Sequence, residues 1–424
     1  MTSSATLLTV HRATREIGGN CIEITHGDHR LILDVGSPLD PPPDATPSSL
    51  IPSTLDTTHP VDAIIVSHPH QDHYGLLTAL PSDWPVWSGA PTEELMRITS
   101  ALTGRHIEQQ VHHYKSFEPF TIGPFTVTPY LTDHSAFDAH MLLVEVAGKR
   151  VFYSGDFRRT GRKSVLVDRL LESPPRDVDV LLMEGTTLGR TGGFPPESEL
   201  EDRFVDYIDH TSGRVFVTWS AQNIDRTVTI YRACKRTGRT LVLDPYAVDV
   251  LERLAPYSKG LPQLGWKGLR AVVAGSISRM YKNPIRMNDP DFIDRISRSG
   301  KAFGAAKLET KSNKNVIMLR PSLLRDYIRQ GVELTGEDAW VFSMWSGYLA
   351  RPEFEPVRTA FADVGVKPDL IHTSGHAAKS DLIEFARAVA PRTMVPIHGE
   401  SWDEHTADFS PVTRLGDGEP LVLS

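Results

Sequence analysis

Three histidines and an aspartate lie within six residues of one another directly after an apolar run. The run Ala63–Val66 predicts a buried strand, and Ser67-His68-Pro69-His70-Gln71-Asp72-His73 follows it. In an extended segment alternate side chains point the same way, so His68 and His70 can bind one ion. Asp72 and His73 then turn toward a second position. Buried imidazoles and carboxylates otherwise need separate partners, so a metal site is a better interpretation than polar residues capping a strand.

Further candidate ligands also follow predicted strands. Gly155 lets the backbone turn closely, and Asp156 after it can bridge two ions with its two carboxylate oxygens. The predicted ligands are His68, His70 and His134 for one ion, and Asp72, His73, Asp156 and His398 for the other. Imidazole and carboxylate suit Zn²⁺, and Mn²⁺ also fits these ligand types. We therefore expect two Zn²⁺ per chain.

Two further acids follow apolar runs and are candidates for orienting the ligands. Asp34 in Leu33-Asp34-Val35-Gly36 and Glu184 in Met183-Glu184-Gly185-Thr186 can each accept a hydrogen bond from the free ring nitrogen of a ligand imidazole. The alternative is that each carboxylate caps a turn.

The elements that position these residues change character along the chain. Short strand patterns joined by loops extend to about residue 190. Helix and strand patterns then alternate, which is typical of a parallel α/β layer. The tail returns to the earlier style, with a strand at Leu370–Thr373 and a hairpin-like end. We expect one domain over residues 1–195 and 362–424, interrupted by an inserted α/β domain over residues 196–361.

Composition narrows the class of protein. The 424 residues are 40% hydrophobic and 23% charged, without an apolar stretch near the roughly 20 residues of a membrane span, as expected of a globular protein with no membrane partner. The start, Met1–Thr6, lacks the basic-then-apolar order of a secretory signal, so a cytoplasmic location is expected. Cys21 and Cys234 lie far apart and are predicted to be buried thiols.

The charge distribution argues against indiscriminate binding to nucleic acid but allows local contacts. The formal net charge is −8. Residues 226–239 contain five basic residues and no acidic one, and residues 301–320 contain five, including Lys311, against one acid. Each stretch is either a solvated face or a track for backbone phosphate.

The ligand pattern resembles the metallo-β-lactamase superfamily, and more narrowly the β-CASP nucleases, among which ribonuclease J is closest in character. The β-CASP motifs are matched by Glu184, by His376 in His372-Thr373-Ser374-Gly375-His376-Ala377, and by His398. The segments Glu16–Cys21 and Trp219–Arg226 also resemble that family, so the resemblance covers nearly the whole chain.

The resemblance implies an αββα sandwich with an inserted β-CASP domain. It also implies a two-metal nuclease that hydrolyses phosphodiester bonds of single-stranded RNA in the cleft between the domains. A histidine at the position of His398 goes with RNA-processing members, whereas Glu184 replaces an aspartate often seen in ribonuclease J. Because the chain ends at Ser424, soon after His398, the C-terminal domain of typical ribonuclease J is expected to be absent. A homodimer is left open.

In this interpretation Asp72 orients or deprotonates the nucleophile, and His376 neutralises charge on the phosphate or protonates the leaving oxygen. Glu184 is the third residue predicted to act in catalysis. Three loops that follow strands are suited to binding phosphate, although ordinary turns would look the same. The predicted substrate-binding residues are Ser220, Asn223, Arg226, Ser343, Ser346, Ser374 and Gly375.

Three other functions compete with RNA hydrolysis. A DNA nuclease of the same family would use the same ligands. A hydrolase of small lactones or thioesters shares the ligand set, but the inserted domain and Ser374-Gly375-His376 count against it. A silent scaffold or RNA-binding subunit is disfavoured because all seven ligand positions are occupied. Endonuclease and 5′-exonuclease action are not distinguished.

Overall fold

The computed structural model describes residues 5–283, 289–309, 312–409 and 411–423. Two predictions concern residues outside these ranges: the start of the chain at Met1–Ser4 and the basic residue Lys311. In the described part of the chain, no helix is long and apolar enough to span a bilayer.

The chain alternates short strands and helices, numbered here in chain order. The strands are β1 (Thr6–Arg12), β2 (Cys21–His26), β3 (His29–Val35), β4 (Ala63–Ile65), β5 (Val86–Ser88), β6 (Val111–His113), β7 (Phe120–Ile122), β8 (Phe125–Leu131), β9 (His140–Val146), β10 (Lys149–Tyr153), β11 (Val180–Met183), β12 (Val215–Thr218), β13 (Thr240–Leu243), β14 (Leu269–Val273), β15 (Ala302–Gly304), β16 (Asn315–Met318), β17 (Ala339–Phe342), β18 (Pro368–Leu370), β19 (Thr393–Pro396) and β20 (Pro420–Leu423). The helices are α1 (Gln71–Tyr74), α2 (Ala90–Thr103), α3 (Ser164–Glu172), α4 (Glu197–Asp209), α5 (Ile224–Arg236), α6 (Pro245–Leu254), α7 (Gly275–Tyr281), α8 (Phe292–Arg298), α9 (Pro321–Arg329), α10 (Glu355–Ala362), α11 (Lys379–Val389) and α12 (Trp402–His405).

The chain divides into two compact units. The first contains residues 1–97, 106–194 and 375–424, and the second contains residues 98–105 and 195–374. We propose that the second unit is the inserted domain. The boundaries predicted from the sequence, after residues 195 and 361, stay a prediction.

Two sheets pack face to face in the first unit. One has the order β20-β1-β2-β3-β4-β5-β6, and the other has the order β19-β11-β10-β9-β8-β7. Their facing side chains form one apolar core, which includes Leu8 and Leu31 from the first sheet and Val144 and Tyr153 from the second. Because side chains alternate across a strand, Phe152 faces the opposite side from Tyr153. It packs there with Phe385 of α11.

Helices cover the outer faces of both sheets. Val167 of α3 and Leu382 of α11 join the core on the outer face of the second sheet. Met96 of α2 packs with Ile64 on the outer face of the first. The order of layers is therefore helix, sheet, sheet, helix, which confirms the predicted αββα sandwich.

The second unit is a seven-stranded sheet in the order β15-β14-β13-β16-β12-β17-β18. Every strand pair in it is parallel. Central strands such as Val215–Thr218 and Ala339–Phe342 are buried along their whole length, as expected when helices cover both faces of a sheet. The predicted alternating α/β layer is confirmed.

Local differences from the sequence prediction have simple causes. The chain end does not form a hairpin: β20 pairs antiparallel with β1, a partner more than 400 residues away that local patterns cannot reveal. The strand predicted at Leu370–Thr373 lies at Pro368–Leu370, where it pairs with β17. The three-residue strands β6, β7 and β15 were missed because they are too short to show periodicity.

Candidate metal centre

The first ligand motif bridges a buried strand and a short helix. His68 follows the end of β4, and His70 is the residue before α1. Asp72 and His73 lie on α1. The Asn20 amide donates to the Asp72 carbonyl at 3.1 Å, and the backbone at Gly36 passes close to the same carbonyl. A Cβ atom placed on Gly36 would lie 1.6 Å from that carbonyl oxygen. Only glycine permits this approach, and the approach fixes the helix that carries Asp72 and His73.

The three predicted ligands of the first ion converge on one point. His70 Nδ1 lies 3.2 Å from His68 Nε2 and 3.1 Å from His134 Nε2. Nitrogen ligands at a Zn–N distance of about 2.0–2.1 Å in a tetrahedral site are separated by about 3.3 Å. These two separations are of the size expected when imidazole nitrogens bind one metal ion.

The four predicted ligands of the second ion also come together. Asp156 Oδ2 lies 3.2 Å from His73 Nε2 and 3.7 Å from His398 Nε2. Asp72 Oδ2 lies 3.9 Å and 3.8 Å from the same two nitrogens. Asp156 Oδ2 is also 3.7 Å from His68 Nε2 of the first group. A single carboxylate oxygen, Oδ2, therefore faces both groups, so Asp156 can be shared between them through this one oxygen and not through its two oxygens as the sequence suggested.

Unsatisfied polar atoms at this position test whether the residues suit metal ions. His73 Nε2, His398 Nε2 and Asp156 Oδ1 are buried and have no hydrogen-bond partner among the described residues. Leaving such groups unpaired costs roughly 1–3 kcal/mol each. The two imidazole nitrogens both face the Asp156 carboxylate, so an ion bound there would satisfy them. Divalent metal ions fit this donor set of imidazoles and carboxylates.

The electrostatics differ between the two groups. Burial opposes protonation of His73, but the carboxylates of Asp156 and Asp34 raise its pKa well above the usual value. The imidazoles of the first group are instead held in the neutral form that binds metal. Burial lowers the pKa of His68, His70 and His134, so these imidazoles stay neutral. Burial also opposes ionisation of Asp156, but the imidazoles of His398 and His73 hold the pKa of its carboxyl well below the usual range. The neutral imidazole and the carboxylate are the forms that coordinate a cation.

Asp34, near the end of β3, orients His73, as the sequence analysis predicted for this carboxylate. Its Oδ2 accepts hydrogen bonds from His73 Nδ1 at 2.7 Å, from Tyr153 OH at 2.6 Å and from Ser67 Oγ at 2.7 Å. The Ser67 amide donates to Oδ1 at 2.7 Å. With Nδ1 committed to Asp34, the opposite nitrogen of His73 faces Asp156.

His398 has an orienting partner that the sequence analysis missed. Its Nδ1 lies 2.7 Å from Asn20 Oδ1, and Asn20 Nδ2 donates to Tyr153 OH at 2.8 Å. Tyr153 thus links the Asn20 amide to the Asp34 carboxylate, so one hydrogen-bonded chain orients His73 and His398. The sequence signal that could have pointed to Asn20 is the pair Gly18-Gly19 just before it. Both glycines adopt positive φ and turn the chain there.

Glu184 and His376 form a pair beside the ligands. His376 Nδ1 lies 3.0 Å from Glu184 Oε2 and 3.7 Å from Asp156 Oδ2. Burial lowers the pKa of His376, but the carboxylates of Glu184 and Asp156 outweigh it and raise the pKa to about 9. The ring centre of His376 is 5.3 Å from that of His134 and 5.8 Å from that of His398. A protonated imidazole thus lies next to ligands of both groups.

Gly375 passes close to the first group of ligands. A Cβ atom placed on Gly375 would lie 3.0 Å from Ser135 Oγ and 3.5 Å from the His134 ring. The neighbouring Ser374 is buried. The Gly375 backbone can therefore contact a substrate at the metal centre, while its binding role stays a prediction.

Two of the predicted substrate-binding residues, Arg226 and Ser343, are buried inside the second unit and bond to other residues there. Arg226 is fully buried, and its guanidinium pairs with Glu197 at 3.0 Å. It also donates to the Ser343 carbonyl at 3.0 Å, and the Ser343 hydroxyl donates to the Ile371 carbonyl at 2.5 Å. Arg226 and Ser343 are thus committed to each other and to the ends of β17 and β18. In this conformation neither offers its polar group to a phosphate.

The other predicted residues of these loops differ in accessibility. Asn223 accepts a hydrogen bond from the Arg226 amide at 3.0 Å and so caps α5. Ser220 and Ser346 are exposed. The two serines are therefore the ones that a ligand could reach.

The basic stretch from residue 226 to 239 is largely neutralised within the second unit. Arg236 pairs with Asp202 at 2.7 Å, and Arg232 lies 3.8 Å from Glu201. Arg239 donates to backbone carbonyls, including that of Gly213 at 2.6 Å. These partners favour the solvated-face interpretation over a phosphate track. The predicted contact of residues 301–320 with backbone phosphate stays a prediction.

Family models match both the front part and the tail of the chain. A β-lactamase superfamily domain matches residues 39–201, and a Zn-dependent metallo-hydrolase RNA specificity domain matches residues 364–409. In these two segments the chain resembles the metallo-β-lactamase superfamily. The first match contains six of the seven predicted ligands, and the second contains His398.

Over most of its length the chain resembles the β-CASP nucleases of the ribonuclease J type. Ribonuclease J of Sinorhizobium meliloti is 23% identical over 85% of this chain and 63% of its own length. The enzyme of Helicobacter pylori (strain ATCC 700392 / 26695) is 24% identical over 91% of this chain and 55% of its own. Ribonuclease J of Mycobacterium tuberculosis (strain CDC 1551 / Oshkosh) is 26% identical over 100% of this chain and 74% of its own length. The chain thus spans less than two thirds of the length of the first two.

A solved structure is similar in fold over nearly the whole length of the chain. The crystal structure of a protein of unknown function from Enterococcus faecalis V583 has a TM-score of 0.77 and 18% sequence identity. The match covers 99% of this chain and 100% of that one.

Proposed function

We propose that the protein is a two-metal nuclease that hydrolyses phosphodiester bonds of single-stranded RNA. The observation that carries the proposal is the position of Asp156, whose Oδ2 lies 3.7 Å from His68 of one ligand group and 3.2 Å from His73 of the other. Two ions that share a carboxylate are the arrangement suited to displacement at phosphorus. RNA is preferred over DNA because His398 occupies the last motif and because an RNA specificity domain matches residues 364–409.

The ligands divide into two groups in this proposal. His68, His70 and His134 would hold one divalent ion, and Asp72, His73 and His398 the other, with Asp156 shared. Ions held there would supply Lewis acidity toward a phosphate oxygen and lower the pKa of water. Zinc is our preferred metal because the nitrogen spacing in the first group fits it.

The chain's own residues supply the proton transfers and the charge. Asp72 is the ligand with the most solvent access among those of the second ion, and it is placed to accept a proton from an attacking water. His376 is held by Glu184 and keeps its proton at neutral pH, so it can stabilise negative charge on phosphate or protonate the leaving oxygen. The Gly375 amide next to it is a further donor.

Product mapping tests the proposal directly. Single-stranded RNA and DNA labelled at the 5′ or 3′ end should be offered to the purified chain with zinc or manganese. We expect RNA to be cleaved faster than DNA, and the Asp156→Asn variant to lose this activity while it remains folded by circular dichroism. The His405→Ala variant is a matched control, because it changes a histidine outside the two ligand groups and the Glu184–His376 pair.

Three outcomes would contradict the proposal. Faster cleavage of DNA would reassign the substrate. Hydrolysis of a lactone or thioester without any nuclease activity would favour the small-molecule function. Unchanged RNA cleavage by Asp156→Asn would remove the shared carboxylate from the mechanism.

A further inference from the structure

The order of strands in the second unit places a topological switch point between two neighbouring strands. β12 and β17 lie side by side and parallel in the middle of the sheet. The chain leaving β12 returns as β13 on one side, whereas the chain leaving β17 returns as β18 on the other. In open parallel sheets, ligands bind at the carboxyl ends of strands where the connections diverge in this way. The loops at this point are residues 219–223 and 343–347.

Buried polar contacts hold the two loops at this switch point. Arg226, at the start of α5, donates to the Ser343 carbonyl at the end of β17, and Glu197 neutralises it. Gln222 in the other loop donates to Tyr246 OH at 2.8 Å. Both loops are thus anchored by buried hydrogen bonds, which leaves Ser220, Ser346 and Trp345 at the surface.

Trp345 is exposed and yet held in place. The residue keeps 44% of its surface accessible, among the largest exposed apolar residues of the described chain. Its six-membered ring lies against Gly347, since a Cβ atom placed there would be 2.4–2.6 Å from three of its carbons. The Tyr348 ring meets it edge to face, with ring centres 5.3 Å apart. These contacts restrict the rotamers of the Trp345 side chain but leave its ring exposed, as expected of a binding surface.

A cation completes the surface. The Arg351 guanidinium lies over the Tyr348 ring, 4.6 Å from its centre. A flat aromatic group beside a guanidinium and surface hydroxyl groups is the combination that binds single-stranded nucleic acid, by stacking on a base and neutralising phosphate. We name Trp345, Gly347, Tyr348 and Arg351 the Trp345 platform.

We propose that the Trp345 platform stacks with a nucleobase of the single-stranded RNA substrate. The proposal rests on the proposed function, because it assigns a binding position for that substrate. It predicts recognition of the base by its flat face, and therefore tolerance of sequence but a need for a base at one position. Trp345 is a binding residue here and takes no part in bond cleavage.

Binding to fluorescent single-stranded RNA tests the platform. The measurement uses the full chain carrying Asp156→Asn, so that the RNA stays intact. Trp345→Ala should weaken binding by about 5- to 150-fold, which corresponds to about 1–3 kcal/mol for one stacked base. Trp345→Phe should keep most of the affinity, and Gly347→Ala should weaken binding by displacing the ring. Trp266→Ala is the matched control, since Trp266 is 38% exposed in the same unit but precedes β14, which is separated from β12 by β13 and β16.

Abasic RNA separates stacking from a general effect on structure. Moving one abasic site along the oligonucleotide should find a position that weakens binding to the parent protein but not to Trp345→Ala, because the two changes remove one contact. The dependence of binding on salt should be unchanged in Trp345→Ala, because a base stack releases no counterions.

The outcomes distinguish this proposal from the function on which it rests. If the parent protein neither cleaves nor binds RNA, the proposed function is wrong, and the proposal for the Trp345 platform is wrong as well. If RNA binds but Trp345→Ala behaves like Trp266→Ala, the platform alone is wrong. A change in oligomeric state in Trp345→Ala, with RNA affinity unchanged, would identify the surface as a protein contact and also overturn it.

Discussion

Removing one partner of the buried Arg226–Glu197 pair should destabilise the second unit strongly. Both side chains are essentially inaccessible to solvent, and the guanidinium and carboxylate are joined at 3.0 Å and 3.3 Å. Glu197 also accepts from the Thr229 hydroxyl at 2.8 Å. In Glu197→Leu the guanidinium keeps its contacts to the Ser343 region but loses its counter-charge.

The expected loss follows from the cost of an unpaired buried charge. Breaking such a pair from one side costs about 3–5 kcal/mol. For a domain of about 150–250 residues, each kcal/mol lowers the unfolding midpoint by about 2–4 °C, so we expect a drop of about 6–20 °C in the transition of this unit. Arg226→Met should cost a similar amount, because it leaves the carboxylate buried.

The double variant Glu197→Leu with Arg226→Met removes both charges and should recover most of the loss, since apolar residues of similar volume replace buried pairs at little cost. Thermal unfolding followed by circular dichroism measures all three variants. Asp202→Asn is the control. It breaks the pair between Asp202 and Arg236, whose side chains are 67% and 46% exposed, and should leave the midpoint unchanged.

A different pattern would restore the phosphate-binding role predicted for Arg226. If Arg226→Met left the midpoint within error of the parent but weakened RNA binding and reduced its salt dependence by about one phosphate contact, the guanidinium would be binding RNA. The buried pair would then not describe the protein in solution.

Three further predictions concern the metal centre. Chelation should abolish cleavage and lower the unfolding midpoint, with both restored by zinc; a midpoint unaffected by chelator would count against buried ions that satisfy Asp156 and His73. Asp72→Ala should lower cleavage by more than tenfold, about 1.4 kcal/mol of barrier, while kinetics closer to the parent would exclude its proposed role. Because the pKa of His376 is raised to about 9, cleavage should fall as pH rises through about 9 and the proton is lost; Glu184→Gln removes a cause of the increase and should move that decline to lower pH, measured as the rate against pH.

Most of the fold and the grouping of the ligands were predictable because the signals are local. Residues such as His68 and Asp156 directly follow apolar runs, and the ends of neighbouring strands lie close together, so candidate ligands at strand ends converge. The alternation of helix and strand from residue 197 onward likewise identified a parallel sheet before its order was known.

The sequence could not show which polar and charged groups already have partners inside the folded protein. Arg226 follows a strand, and a phosphate-binding arginine would occupy the same position in the chain. Its partner Glu197 lies 29 residues earlier, on another helix, and its other partner Ser343 lies 117 residues later. Asn20 was missed for the same reason, because its contact with His398 spans 378 residues. Local patterns identify strand ends, but pairing at those ends depends on the order of strands.

Two backbone conformations at the metal centre show how the fold holds the ligands. Asp34 and His398 both adopt positive φ, 56° and 49°, a region that non-glycine residues occupy at a cost of about 1–3 kcal/mol. The strain is offset locally: the Asp34 carboxylate accepts four hydrogen bonds, and the His398 amide donates to the Ala13 carbonyl at 2.7 Å while its ring bonds to Asn20. Because Asp34 orients His73 and His398 is itself a predicted ligand, the strained residues are those that aim imidazoles at the second metal position. Relaxing either backbone would turn a nitrogen away from Asp156, so the same hydrogen bonds that stabilise the strain also define the centre.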